Sequence, residues 1–347
     1  MTSVSSAALT NAMRYQQMRM QADLVKATKE SSTGKVADVG LALGGRAAQS
    51  VTFSRDLDRL NVIVDSNALV AARLSSTQTS LGQLSSVAQN FLSSLTSATS
   101  GDSSQSLTQS AGTNAVQQLA SILNTSVNGE YLFAGTNTDV KPINDFTAAG
   151  SPAKAAFDAS FVAKFGFTPA DPAAASITAA QMDDFITNYV EPQFLGSGWQ
   201  TNWSNATDQQ IVSRIALNET TETSTGANSD GIKKLAMAAA MVSTLMSSNI
   251  SQAAKDTIVG RSQTLVGEAL SGIAQVQSQT GIVQKRVSDA SDRMKTQIDL
   301  FERHILDLEA VDPAEAATRV ANLTQHIETS FALTARLQQL SLLNYLT

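Results

Sequence analysis

The sequence predicts a mainly α protein. The expected fold is a long coiled-coil-like helical bundle formed by N- and C-terminal segments, with β-hairpin elements and a small inserted α/β or β-rich domain. Three observations carry this. Apolar residues recur in steps of three and four over long stretches near both ends of the chain. Charged residues make up 16% and aromatics 5% of 347 residues, yet apolar residues reach 42%. That balance suits thin helices with small side chains rather than a disordered polymer. Finally, five of the six prolines and both tryptophans fall within 142–203, a compositional break that marks an insert.

The first apolar stripe is Leu9, Met13, Met20, Leu24 and Ala27. Glycines in "GLALGG", 40–45, are expected to break the helix between this outer segment and the long inner one. A second stripe runs Phe53, Leu57, Leu60, Val64, Ala71, Leu74, Leu81, Leu84, Ala88, Phe91, Leu95 and Ala98, with Asn67 and Gln78 at two seam positions. A continuous helix over 53–98 would be roughly 70 Å long. "NTSVNGEYLFAGTNTDV" reads as a strand bounded by turns, and "QQIVSRIALNETTETSTGANSDG" as an extended stretch able to pair with it. A helix starts near Asp230. The third stripe, from Val266 to Leu308, mirrors the second.

Between the third and fourth stripes, "DLEAVDPAEAATRV" stops one helix and starts another. Asp312 can accept a backbone N–H as N-cap, Pro313 suits the first helical position, and Glu315 completes a capping box. The last stripe is Val320, Leu323, Ile327, Phe331, Leu337 and Leu340, and the chain closes on "LSLLNYLT" with Leu343 and Leu346. The layout is nested, which predicts three parts: 1–44 with 310–347 as a terminal helical domain, 45–140 with 205–309 as a long-helix rod domain, and 141–204 as an inserted outer domain.

Net charge is −6, which argues against nucleic acid as the main partner. The chain has no cysteine, so disulfide and thiol chemistry are excluded. No run of 18 apolar residues suggests a membrane span, and the first residues lack the pattern of a general secretory signal, so any export is expected by another route. His304 and His326 read as residues of solvated helix faces. "STGK" at 32–35 lacks the flanking residues of a phosphate loop, and "GLALGG" has the wrong spacing for a dinucleotide loop. Asp183 and Asp184 read as surface acids. The aromatic residues Phe157, Phe161, Phe165, Phe167, Trp199 and Trp203 could line a pocket but read as the core of the insert. No catalytic, cofactor or metal constellation is expected, and an enzyme is not. The terminal stripes instead ask for burial. Each leucine is worth roughly 1.5–3 kcal/mol, and one helix pair cannot cover leucines at 342, 343 and 346. Neighbouring subunits are the expected cover, and head-to-tail contacts of that kind build rings or open helices.

The nested layout, the closing "LTQHIETSFALTARLQQLSLLNYL" and the segment "ESSTGKVADVGLALGGRAAQS" resemble the bacterial flagellin superfamily. "NGEYLFAGTNTDVKPI" is similar to the G-x-Y-L-F-A-G signature of the hook-associated protein 3 family, the hook–filament junction proteins. Here the signature residues are Gly129, Tyr131, Leu132, Phe133, Ala134 and Gly135. The resemblance implies an extracellular structural adaptor of the flagellum, exported by the flagellar type III pathway. Its implied partners are copies of itself in a ring, hook-associated protein 1 and flagellin, with the filament cap transiently and an export chaperone. It implies interface roles for the apolar residues of the terminal helices. A minor flagellin is the alternative within the superfamily.

Overall fold

The computed structural model describes residues 6–100, 104–246 and 249–346. The described chain is mainly helical, with two small antiparallel strand pairs. It divides into two compact units, 1–62 with 294–347, and 63–293.

In the first unit α1 (Ser6–Thr33) pairs with α10 (Pro313–Leu346). The pairing is antiparallel: Gln17 donates to Ser330 and Thr334, each at 3.4 Å, while Glu30 meets Arg319 at 3.1 Å. Burial follows the helical period on both faces, with Ala27, Ala316 and Ile327 buried and Met13, Met20, Leu24, Val320 and Leu323 half-buried. A short helix, α2 (Val39–Leu43), follows α1. Asp38 caps it by accepting from the Leu41 N–H. The rest of this unit is the start of α3 (Ala47–Thr99) and the end of α9 (Gln252–Glu309). There Phe53 stacks on Phe301 at 5.5 Å and on the exposed His304 at 5.4 Å.

Beside a smaller apolar cluster of Leu74, Ile215, Val287 and Ala290, the second unit has one large core. Leu81, Leu84, Ala88, Phe91 and Leu95 of α3 share it with Val266, Ala269 and Ile273 of α9, and with α4 (Gln105–Leu123) and α8 (Asp230–Leu245). Helix α8 is buried on nearly every side because its "LAMAAAMV" run presents small or flexible apolar residues all round. Small residues also set the closest approaches. An ideal Cβ at Gly112 would sit 2.8 Å from the Ser243 nitrogen, and one at Gly272 would sit 2.9 Å from the Gly231 Cα. The two polar seam positions are tied across the core: Asn67 donates to the Ile215 carbonyl at 2.9 Å and to Ser291 at 3.0 Å, and Gln78 to the Gln277 carbonyl at 2.7 Å.

Strands β1 (Ser126–Val127) and β2 (Glu130–Tyr131) form one hairpin, and β3 (Val212–Ala216) with β4 (Glu219–Glu222) forms the other. The predicted pairing of the two extended stretches is confined to a single bridge, Ala134 with Gly226. The later stretch folds mostly on itself.

The insert differs from its expected α/β or β-rich character. Its described elements are helical: α5 (Pro152–Phe165), α6 (Ala179–Phe185), a π turn at Ile186–Val190 and α7 (Glu191–Phe194). Backbone pairing is limited to its base, where Ile143 bridges Ser204. The i, i+4 spacing of Phe157, Phe161 and Phe165 is a helical period, and it explains the outcome. Ser151 and Thr178 cap α5 and α6, the latter with a complete capping box to Gln181.

Candidate functional site: the terminal helix pair, its joint and the signature loop

The joint between α9 and α10 is built as the spacing predicts, with one change. Asp312 accepts from the Ala314 N–H at 2.8 Å and Pro313 opens α10. Glu315 does not close a capping box; its carboxylate lies 3.5 Å from Arg319 instead. This joint is zipped to the one that follows α1. Val36 donates to the Glu309 carbonyl at 2.8 Å and Val311 to the Gly34 carbonyl at 2.9 Å, flanking a Lys35–Ala310 bridge. Glu309 is buried there between Ser50, which donates to it, and Lys35 at 3.5 Å. The Glu30 carboxylate accepts from the Ala37 N–H at 3.2 Å and pairs with Arg319. Two interhelix joints, far apart in sequence, therefore hold each other in place.

The terminal apolar residues divide in two. Met13, Met20, Leu24, Val320, Leu323 and Ile327 face the pair's own seam. Phe331 does not: it is 50% exposed, and Ser330 and Thr334 occupy the seam around Gln17. The side chains of Leu9, Leu337, Leu340, Leu343 and Leu346 lie outside the described residues. A set that the sequence reading did not name lies on the opposite face of α1. Tyr15, Met18 and Val25 are 69%, 61% and 70% exposed, and with the exposed Ala22 they step by three, four and three. That spacing is itself a helical stripe, and it was present in the sequence to be found.

The signature segment is internal scaffolding. Asn128 and Gly129 both have positive φ, at 55° and 86°, and form the two-residue turn of the β1–β2 hairpin, the conformation for which Asn-Gly is favoured. Leu132, Phe133 and Ala134 are fully buried. The backbone is held from both sides: Tyr131 N–H donates to the Thr138 carbonyl at 2.8 Å, Ala227 N–H to the Phe133 carbonyl at 2.8 Å, and Thr207 N–H to the Ala134 carbonyl at 3.1 Å. Arg73 of α3 pairs with Glu130 and donates to the Tyr131 carbonyl at 2.9 Å. Gly135 has φ +66°, and an ideal Cβ there would lie 2.4 Å from the Thr207 carbonyl oxygen.

The aromatic set of the insert is core. Phe157, Phe161, Trp199 and Trp203 are buried, with Phe146 stacked on Trp203 at 5.0 Å and Trp203 on Trp199 at 5.5 Å. The one polar atom of Trp199 donates to Asn228 at 2.8 Å. Among the described residues, no group of three or more histidine, aspartate or glutamate side chains converges as metal ligands would. No helix among them is long and apolar enough to cross a membrane.

The described residues thus present long helices, small hairpins and a half-covered terminal helix pair. The family described as the bacterial flagellin N-terminal helical region matches residues 4–138, and the bacterial flagellin C-terminal helical region matches residues 263–346. Together the two matches take up more than half of the chain, and the chain belongs to the flagellin superfamily. Among solved structures it is similar to a provisionally assigned flagellar hook-associated protein from Vibrio parahaemolyticus. That likeness has a TM-score of 0.52 and 11% identity, and it covers 76% of this chain and 97% of the other, so it speaks for the fold. No curated protein matches the chain.

Proposed function

We propose that this protein is the junction adaptor that joins the flagellar hook to the flagellin filament. The observation that carries the reading is the Gly129–Gly135 signature, together with the way the fold uses it. The segment braces α3 and the base of the insert through the Arg73 contacts and the close backbone at Thr207. Its phrase resembles the junction-family signature, which flagellins usually lack. In this reading the terminal segments 1–44 and 310–347 form the inner tube wall, 45–140 and 205–309 form the next shell, and 141–204 is the variable outer module. The chain makes a ring of copies of itself, with hook-associated protein 1 on one axial side and flagellin on the other. It meets the filament cap transiently and is carried to the flagellar type III pathway by an export chaperone.

The test is a deletion strain. Hooks without attached filaments, with flagellin shed into the medium, are the expected result, and normal filaments would reject the proposal. A minor flagellin is the second reading, because both matched helical regions are those of flagellin. Purified protein that elongates filament seeds into long fibres would favour it.

A further inference from the structure

The first unit contains a cleft of about 790 Å³ between the start of α3 and the end of α9. Leu57, Ile305 and Leu306 give it an apolar floor, and Leu306 is 52% exposed. Asp58, Asp299 and Glu302 stand at its rim, and none of the three has an ion-pair or hydrogen-bond partner among the described residues. Arg303 is the one free cation there, because Lys35 is paired with Glu309.

The outer face of α1 has the complementary pattern. Its stripe Tyr15, Met18, Ala22 and Val25 is flanked by Arg14 on one side and by Arg19 and Lys26 on the other, all exposed. These three cations also lack a partner among the described residues. Stripe and cleft match in length. Tyr15 to Val25, and Asp299 to Glu309 along the α9 wall, each span ten helical steps, about 15 Å at the α-helical rise. The charge pattern matches as well, with three free cations against a rim of three free anions and one cation.

We infer that the outer face of α1 from a second copy of this chain lies in the α3–α9 cleft. Met18 and Val25 sit on the Leu57–Ile305–Leu306 floor, and Arg19 and Lys26 face Asp299 and Glu302. This rests on the proposed self-assembly and adds the surfaces that meet. The contact is a helix in a groove. It joins two different patches, so it repeats head to tail rather than closing as a two-fold dimer.

Because the chain has no cysteine, introduced thiols report the contact cleanly. Full-length Met18→Cys protein mixed with Leu306→Cys protein should give oxidised heterodimers, and a chain carrying both substitutions should give a ladder of linked multimers. Asn322→Cys, exposed on α10, is the control partner. Arg19→Glu with Lys26→Glu should lower the cross-linking yield several-fold, and Asp299→Lys with Glu302→Lys on the partner should restore it. In about 1 M salt, where screening acts beyond roughly 3 Å, the yield should fall. Heterodimers no more abundant than with Asn322→Cys would overturn the inference. So would a yield dominated by Met18→Cys homodimers, or a failure of the charge swap to rescue. Each of these outcomes leaves the junction reading to the deletion strain, which does not depend on this contact.

Discussion

Two glycines of the signature segment separate conformational need from spatial need. Gly129 and Gly135 both lie in the left-handed region, but an added Cβ meets nothing within 4 Å at Gly129 and meets backbone at 2.4 Å at Gly135. Alanine at either site carries the left-handed cost of about 1–2 kcal/mol. At Gly135 overpacking adds about 1–3 kcal/mol. Urea unfolding should therefore show a clearly larger loss for Gly135→Ala than for Gly129→Ala, and equal losses would remove the close approach from the explanation. A surface pair in the insert makes a pH prediction. Lys164 donates to Asp184, which also accepts from Asn188 at 2.7 Å. The hydrogen bond from Lys164, then that from Asn188, holds the Asp184 carboxyl below its ordinary value, and the same bond raises Lys164 above its own. The Asp184 contribution to stability is thus present above the ordinary carboxylate range and lost as pH falls through its lowered folded value. The Lys164 contribution is present below the ordinary lysine range and lost as pH rises through its raised value. Both groups are at the surface, so the stability effect is small. NMR titration is the direct check: in Lys164→Met the Asp184 midpoint should move up.

At the level of elements, the α1–α10 pair is an expected weak point, because a lone helix pair buries one face of each member. Ile327 is one of its few buried large side chains. Ile327→Ala should cost about 2–5 kcal/mol of local stability. Amide exchange should rise across 11–33 and 313–336 and stay unchanged within 63–293. A rise spread over both units would mean that the pair is not an independent element. How far these elements could be read beforehand follows from what holds each together. Helices α3 and α9 and the Asp312–Pro313 joint were legible because period and capping are local signals. Phe331 continues the apolar stripe in sequence but lies off the pair's own seam, which is completed by hydrogen bonds among Gln17, Ser330 and Thr334, so its interface role stays a proposal. The Glu315 half of the capping box lost to an ion pair with Arg319, four residues on. The helices of the insert carried an i, i+4 phenylalanine spacing that its proline and aromatic content obscured. The Tyr15–Val25 stripe was equally present in sequence, but a helix with two apolar faces shows its second only once the first has found its partner.

Across the whole molecule, charge and exposed apolar surface are divided unequally. Residues 1–62 and 294–347 hold twelve lysines and arginines against twelve aspartates and glutamates, so the net charge of −6 falls entirely within 63–293. Ten of the seventeen exposed large apolar side chains among the described residues belong to the first unit, which has about a third of the chain. A neutral unit with uncovered apolar side chains is suited to association, and a charged unit with a large buried core is suited to stand alone. Removing 331–347 tests this division. The truncation takes Phe331, Leu333 and the closing leucines from the first unit and touches no residue of 63–293. Circular dichroism and amide exchange should therefore show an intact second unit, with α1 exchanging faster because Thr334 no longer meets Gln17 and Met13. In a strain lacking the full-length protein, the truncated chain should leave hooks bare. If it still attached filaments, the closing leucines would have no role in assembly, and the cover they need would have to come from the chain itself.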